Sequence, residues 1–229
     1  MCESTVEVDD EDFLGGVSAT AVTTPADLRT LFGGIDIYLF DQILRGRIQP
    51  NARILDAGCG NGRNIVYFMQ AGYDVSAIDA DAAAIASVRA LAAELAPSLG
   101  ADHFRAEPLA HSSFPDACAE LVISSAVLHF AADEADFMAM LQGSWRLVAP
   151  GGMLFARLAS NIGIEDQVRP LSPGSRRCRL PDGSDRYLVD APMLHRLTDD
   201  LGGRLLDPIK TTVVHNQRSM TTWVMTKLV

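Results

Sequence analysis

Three glycines at alternate positions, Gly58, Gly60 and Gly62, lie between an apolar run and a helical pattern. A loop without Cβ atoms lets a ligand approach the backbone, and the free N–H groups of the following helix attract polar or anionic groups. The predicted strand 73–79 then ends in Asp79, where nucleotide-binding folds place a carboxylate for ribose hydroxyls. Together, the loop and the carboxylate predict a site for a ligand that contains a nucleoside.

The spacing of the glycines separates two classes of nucleotide. A dinucleotide loop needs glycine at its first, third and sixth positions. Counted from Gly58, the sixth position is Arg63, so the dinucleotide pattern fails there. The pattern Asp-x-Gly-x-Gly-x-Gly from Asp56 to Gly62 instead resembles motif I of the class I methyltransferases that use S-adenosylmethionine (SAM). A nicotinamide nucleotide is the alternative, whereas a turn without a ligand would not account for Asp56, Gly62 and Asp79 together.

Other segments carry the same resemblance, which covers about residues 50–160. They are the acidic end of the second strand, Ser124–Phe130 after the fourth strand and Leu147–Met153 before the fifth. The sequence Gly-Arg-Asn that ends at Asn64 is similar to the tellurite-resistance-type small-molecule methyltransferases. The resemblance implies SAM as methyl donor, S-adenosylhomocysteine as product, and a Rossmann-like, doubly wound α/β fold. Its sheet is expected to be mostly parallel and seven-stranded, with a C-terminal antiparallel hairpin.

Hydrophobic periodicity along the chain also favours an α/β fold. Strands are predicted over 52–57, 73–79, 102–107, 119–124 and 153–159, and helices over 62–71, 81–96 and 133–148. This alternation implies right-handed crossovers and a parallel sheet. A helix over 191–201 and strands over 204–215 and 219–228 predict the terminal hairpin.

The predicted domain organisation is an acidic mobile tail over 1–12 and a single methyltransferase domain over 13–229. Within the domain, 13–50 provides N-terminal lid helices. Residues 161–188 lack a helical pattern and form an insertion on the acceptor side, with a short hairpin around the turn Pro181–Ser184.

Composition restricts the partners. The formal net charge of −10 opposes binding of nucleic acid. The four cysteines show neither Cys-x-x-Cys nor zinc-site spacing, so we expect reduced thiols and no metal. The sequence contains no apolar run of about eighteen residues, so it predicts no membrane span. The expectation is a cytoplasmic monomer or homodimer.

The resemblance assigns cofactor contacts residue by residue. Asp56 would lie near the methionine amino group, Asp79 would bind the ribose hydroxyls, and Ala80 would pack on the adenine. The complete implied set is Asp56, Ala57, Gly58, Cys59, Gly60, Asn61, Gly62, Asn64, Asp79, Ala80, Pro108, Leu109, Ser124 and Ser125. The chain departs from the family in the loop after the third strand. Many relatives have an acid for the adenine amino group where this chain has Pro108 and Leu109, with Glu107 as the nearest carboxylate.

Three side chains are candidates for the acceptor side, each with a structural alternative. His129 follows the fourth strand and is either a base or acceptor-orienting group, or a packing histidine. Tyr38 on a lid helix either covers the sulfonium or packs on the core. Arg157 stands in an apolar strand and binds either an anionic acceptor or a structural acid, because a buried arginine needs a partner. Arg63 and Asn64 either contact the SAM carboxylate or cap the helix.

Residues 161–190 contain five arginines and no lysine. Arginine suits recognition of planar oxyanions. The alternative is a solvated loop in which these arginines are balanced by Glu165, Asp166, Asp182 and Asp185.

Methyl transfer from a sulfonium is an in-line displacement that depends mainly on alignment, and a general base matters only for an acceptor that is protonated. The predicted function is therefore SAM-dependent methylation of a small molecule at S, Se, Te, O or N. The alternatives are methylation of a macromolecule and a non-catalytic SAM-binding module.

Overall fold

A central sheet of eight strands organises the computed structural model, which describes residues 24–229. The strands are β1 (Arg53–Ala57), β2 (Asp74–Asp79), β3 (Phe104–Ala106), β4 (Ala119–Ser125), β5 (Val148–Ala159), β9 (Gly203–Leu205), β10 (Lys210–Val214) and β11 (Arg218–Lys227). A separate small sheet contains β6 (Arg169–Pro170), β7 (Arg177–Arg179) and β8 (Asp185–Tyr187).

The order of the main sheet is β10-β11-β5-β4-β1-β2-β3, and β9 pairs with β11. The five strands from β1 to β5 pair in parallel, whereas β11 runs antiparallel to β5, β9 and β10. This confirms the predicted parallel sheet with a C-terminal antiparallel hairpin. The strand order reverses between β1 and β4, and in such sheets the crevice at the carboxyl ends of these strands binds ligands.

Helices pack on both faces of the sheet, as a doubly wound fold requires. They are α1 (Pro25–Phe32), α2 (Ile37–Leu44), α3 (Val66–Gln70), α4 (Ala82–Leu95), α5 (Glu134–Leu147) and α6 (Ala191–Asp200). On one face, Phe137 and Leu141 of α5 are buried with Trp223 of β11. On the other face, Phe68 of α3 and Val88 of α4 are buried in a second cluster.

Two predicted boundaries were wrong near the glycine loop and the C-terminal hairpin. The helix predicted over 62–71 begins only at Val66, because Gly62 has a φ of +76°, which is incompatible with a right-handed helix. The strand predicted over 204–215 is split into β9 and β10. Pro208 lies in the break and has no N–H to donate, and the adjacent Asp207 carboxylate accepts hydrogen bonds from Arg47.

The segment Pro150–Gly152 also differs from the prediction. The fifth strand was predicted to begin at residue 153, but this segment already lies inside β5, where the register against β4 shifts between Ala119 and Leu121. Between these pairs β5 advances five residues, from Val148 to Met153, while β4 advances two, so three extra residues of β5 form a bulge-like irregularity that does not end the strand.

The insertion 161–188 has its own small core. The hairpin predicted there is confirmed, since β7 and β8 pair around the turn, and β6 adds a third strand. Cys178, Leu180 and Leu188 are buried together with Ile164. The predicted tail over 1–12, and the part of the lid region before residue 24, lie outside the described residues. Within residues 24–229, no helix has the length and apolarity that crossing a membrane would need.

Candidate active site

The glycine loop is bound to β2 through its backbone. The N–H groups of Gly58 and Cys59 both donate to the Ile78 carbonyl, at 2.8 and 3.0 Å. Gly58 has a φ of +84°, and a Cβ there would lie 2.5 Å from the Val127 side chain. The loop therefore packs directly against the segment that follows β4, and only glycine fits at position 58.

Asp79, at the end of the neighbouring strand β2, hydrogen-bonds with the glycine loop. Its Oδ2 accepts a hydrogen bond from the Gly60 N–H at 2.8 Å, and its Oδ1 accepts one from the Asp81 N–H at 2.9 Å. The carboxylate thus links the carboxyl ends of β1 and β2, the position at which this class of fold binds a nucleoside.

A cavity of about 460 Å³, here called the loop cavity, lies in front of the glycine loop. Six predicted cofactor residues line it, namely Gly58, Gly60, Asp79, Ala80, Pro108 and Leu109. Eight predicted residues do not line it, namely Asp56, Ala57, Cys59, Asn61, Gly62, Asn64, Ser124 and Ser125.

Sequence reasoning missed part of the wall of this cavity. Ala126, Phe130, Asp136 and Met140 line it from the segment after β4 and from α5. Asp136 and Met140 are four residues apart and so share a helix face, which the periodicity of α5 could have revealed. Glu107, the carboxylate nearest to the predicted adenine loop, accepts hydrogen bonds from the backbone N–H and the hydroxyl of Ser113. These bonds hold the loop after β3.

The Asp56 carboxylate is buried beneath the loop without a hydrogen-bond partner. Neither of its oxygens meets a donor within residues 24–229, and the residue is 1% exposed. Burial raises its pKa to about 7, with Arg63 acting in the opposite direction and Asp79 adding to the rise. A buried carboxylate without donors is costly, so the site is suited to a ligand that brings a cationic donor, such as an amino group.

A second buried carboxylate, Asp36, is fully engaged by protein groups. It caps α2 by accepting from the Tyr38 N–H, and its Oδ2 accepts from the Ser125 hydroxyl at 3.0 Å and from Arg157 at 3.1 Å. Asn64 accepts from the Asp36 backbone N–H at 3.0 Å. The Ser125 hydroxyl and the Asn64 carbonyl therefore hold α2 over the strand ends, and Asp36 is the structural acid considered for Arg157.

Arg63 takes part in the same attachment. Its guanidinium donates to the Gly34 carbonyl and to the Ser125 hydroxyl, both at 3.1 Å, and lies 3.8 Å from Asp36. These contacts join the loop before α2 to the segment after the glycine loop.

A further cavity of about 340 Å³, here called the arginine cavity, adjoins the loop cavity. The two share Ala126 and Phe130 in their walls. The lining of the arginine cavity comes from four parts of the chain: Ala126, His129, Phe130, Arg157, Ala159, Leu180, Asp182, Ser184, Arg186, Val214, Arg218 and Met220. Of the three acceptor-side candidates, it brings together His129 and Arg157.

His129 is a buried, neutral histidine. Its Nδ1 accepts a hydrogen bond from the Ala159 N–H at 3.1 Å, which places the proton of the neutral ring on Nε2. Burial, and to a smaller extent the Arg186 charge, lower the pKa of His129 to about 4. The ring is therefore arranged to donate a hydrogen bond and not to take a proton.

Tyr38 lines neither cavity. Its hydroxyl hydrogen-bonds with that of Thr212, and the Arg157 guanidinium carbon lies 5.3 Å from the centre of its ring. These contacts agree with packing of α2 on the C-terminal hairpin, and a role toward the sulfonium stays a prediction.

Comparison with known families agrees with this geometry. Residues 55–156, from β1 to β5, match the methyltransferase domain family. The match supports a class I SAM-dependent methyltransferase domain over these residues. The narrower similarity to the tellurite-resistance type stays a prediction.

Two curated relatives are methyltransferases by name. The chain is 30% identical over 133 residues to the uncharacterised methyltransferase YodH of Bacillus subtilis, covering 58% of this chain and 51% of that protein. It is 29% identical over 154 residues to a ubiquinone biosynthesis O-methyltransferase of Caulobacter, covering 62% and 59%. The chain thus spans no more than three fifths of the length of these relatives.

Solved structures share the fold. A Burkholderia thailandensis 1,6-didemethyltoxoflavin N1-methyltransferase, bound to its acceptor and S-adenosylhomocysteine, aligns with a TM-score of 0.63 at 18% identity, over 89% of this chain and 82% of that one. The [4+2]-cyclase SpnF aligns with a TM-score of 0.65 at 15% identity, over 84% and 81%. At these identities the likeness concerns the fold alone, and the cyclase shows that the fold does not by itself establish the reaction.

Proposed function

We propose that this protein transfers a methyl group from SAM to a small-molecule acceptor. The observation that carries the proposal is the contact between the two cavities at Ala126 and Phe130. A donor in the loop cavity and an acceptor in the arginine cavity would meet at this shared wall, as an in-line displacement requires.

The loop cavity would hold the donor. Asp79 would bind the ribose hydroxyls, Pro108 and Leu109 would border the adenine, and the unpartnered Asp56 would accept from the methionine ammonium. When bound, SAM supplies a methyl group on a sulfonium sulfur that leaves as a neutral thioether. The protein's own contribution is then alignment and exclusion of water, and positioning alone can contribute roughly 7–11 kcal/mol.

The arginine cavity would hold the acceptor. Its volume of about 340 Å³ is at the lower end of the range for small-molecule pockets. The formal charge of −10 disfavours a nucleic-acid acceptor. Residues 161–188 would act as the acceptor-side insertion and α1 and α2 as the N-terminal lid, completing one methyltransferase domain.

The test is calorimetric titration with SAM, S-adenosylhomocysteine and NAD, followed by a screen with methyl-labelled SAM against small-molecule acceptors and a nucleic-acid and protein panel. We expect SAM and S-adenosylhomocysteine to bind, and label to reach a small molecule. Binding of NAD without SAM would refute the donor assignment. Label in a macromolecule, or SAM binding without transfer to any acceptor, would favour the two alternatives, a macromolecular methyltransferase or a SAM-binding module.

A further inference from the structure

We infer that the acceptor is a small organic monoanion with an apolar body, bound in the arginine cavity by Arg186 and Arg218. The inference rests on the proposed function, and it specifies the class of substrate at the same site.

The charges in the arginine cavity are unbalanced. Arg157, Arg186 and Arg218 line it, and of these only Arg157 has a carboxylate within salt-bridge distance, that of Asp36. The Arg186 guanidinium donates to the Asp185 carbonyl, and the Arg218 guanidinium has no hydrogen-bond or ion-pair partner within residues 24–229. Asp185 itself is paired with Arg179.

One carboxylate of the cavity, Asp182, partly offsets these arginines. It accepts hydrogen bonds from the Ser184 N–H and hydroxyl, and its pKa is lowered by the Ser184 hydroxyl and by the charges of Arg186 and Arg218. Three guanidinium groups against the carboxylates of Asp36 and Asp182 leave one positive charge in excess. A monoanion neutralises this excess, whereas a neutral acceptor would cover the half-buried Arg186 without giving it a charge partner.

The remaining wall is apolar. Leu180, Val214 and Met220 line the cavity, and Phe130 stands where it meets the loop cavity. The Arg186 guanidinium carbon lies 4.8 Å from the centre of the Phe130 ring. An aromatic or aliphatic body would therefore lie against Leu180, Val214 and Met220, while its charged group faces Arg186 beside Phe130, next to the loop cavity.

The weak basicity of the His129 and Asp182 side chains in the cavity agrees with an acceptor that binds already as an anion. His129 uses Nδ1 for the Ala159 N–H, and Asp182 is a weak base because its charged form is stabilised. The anionic atom forms its bond to the methyl carbon with its own electron pair, while the electron pair of the breaking C–S bond stays on sulfur. The acceptor's negative charge and the sulfonium charge cancel, so no proton has to leave.

The test measures binding of paired probes to the protein loaded with S-adenosylhomocysteine. The probes are benzoate, 4-hydroxybenzoate, cinnamate and hexanoate, each compared with its primary amide by calorimetry. We expect at least one acid to bind ten times more tightly than its amide. Arg186→Gln and Arg218→Gln should each remove at least tenfold of that preference.

The matched control is Arg169→Gln, an exposed arginine of the same insertion that lines neither cavity. It should leave acid binding unchanged, and each variant should bind S-adenosylhomocysteine as the wild type does, which shows that it is folded. Acids that bind no better than their amides, or a preference that survives both arginine substitutions, would overturn the inference. Failure of the wild type to bind S-adenosylhomocysteine would instead refute the proposed function.

Discussion

The buried carboxylate of Asp36 accepts a hydrogen bond from the guanidinium of Arg157 at 3.1 Å, across 121 residues of sequence. Asp36 is the N-cap of α2, and Arg157 lies near the carboxyl end of β5. The same carboxylate oxygen accepts from Ser125 at the end of β4. This single oxygen therefore attaches the N-terminus of α2 to the carboxyl ends of β4 and β5.

We expect Asp36→Asn to lower the free energy of unfolding by about 2–3 kcal/mol, because it leaves a partly buried arginine without its charge partner. Denaturant unfolding measures the change, and a double-mutant cycle with Arg157→Gln should give a coupling free energy of more than about 1 kcal/mol. Asp41→Asn is the control, since the Asp41–Arg45 pair on the same helix is exposed and should contribute little. Equal effects of the two substitutions would contradict the role given to Asp36.

Gly58 and Gly60 should respond differently to alanine. At Gly58 the new Cβ would collide with Val127 at 2.5 Å and force an unfavourable φ, so Gly58→Ala should destabilise the protein by about 2–4 kcal/mol. At Gly60 no atom lies within 4 Å of the added Cβ, so only the φ of +50° costs stability, about 1 kcal/mol.

Binding of SAM supplies a second readout for these two glycines, which both line the loop cavity. Because Gly60→Ala costs little stability, its effect on SAM binding should exceed what the stability loss alone would cause. Thermal unfolding and calorimetric titration of both variants test this. A stable Gly58→Ala protein would refute the packing of the loop against Val127.

Asp79→Ala should raise the dissociation constant of SAM more than tenfold, because it removes the acceptor of the Gly60 N–H and the proposed partner of the ribose hydroxyls. Asp81→Asn is the matched control two residues away. Asn retains the N-cap of α4 that Asp81 provides, and the substitution removes a neighbouring negative charge. Its dissociation constant should stay within about twofold of the wild type. Similar losses in both variants would point to a general charge effect and against a specific contact.

The residues that line the loop cavity were easier to predict from the sequence than those that line the arginine cavity, for a physical reason. The glycine loop and Asp79 are local features, since each lies at the end of a strand that its own periodicity reveals. Asp36 could not be recognised, because its partners lie 28 to 121 residues away and depend on tertiary packing. Arg186 and Arg218 come from the insertion and the terminal hairpin, and their shared cavity exists only once both have folded.

The predicted SAM contacts of Asn64 and Ser125 illustrate the same limit. The resemblance placed Asn64, after motif I, and Ser125, after the fourth strand, near the cofactor. In the structure the side chains of both hydrogen-bond with Asp36, and their contacts with SAM stay predictions. A polar residue beside a ligand loop has two possible partners, the ligand and a neighbouring element of the fold. Only the position of the neighbouring element, here α2, decides between them.

His129 should not contribute an ionisation near neutrality to the reaction. Its pKa of about 4 predicts a pH profile of kcat/KM without a limb near pH 6.5 that depends on this residue. Stability supplies a second readout. Because the folded pKa lies below the unfolded value, the unfolded state binds more protons between pH 4 and 6.5. The stabilisation is complete above pH 6.5 and is lost as the pH falls toward 4.

His129→Asn tests both statements, since asparagine retains an acceptor for the Ala159 N–H. From pH 7 to pH 4.5, the wild type should lose about 2 kcal/mol more unfolding free energy than this variant. A kcat/KM limb near pH 6.5 that His129→Asn abolishes would instead identify His129 as a base.

Asp56 should make SAM binding depend on pH. Its pKa is raised to about 7, so the free protein holds a proton on this carboxyl below neutrality, and its stability falls as the pH rises from 4 to 7. An ammonium donor binds the ionised carboxylate, so binding must expel that proton. The dissociation constant of SAM should therefore fall by roughly fivefold to tenfold between pH 6 and pH 7.5.

Calorimetry at pH 6 in two buffers of different ionisation enthalpy measures the proton directly, and release of about one proton per SAM bound is expected. Asp56→Asn should bind SAM more weakly at pH 7.5 and lose both the pH dependence and the proton release. Because it removes a buried charge without a partner, the same substitution should leave the free protein at least as stable at pH 8. Proton release that persists in Asp56→Asn would assign the ionisation to another group, and SAM would then have to bind without the Asp56 carboxylate.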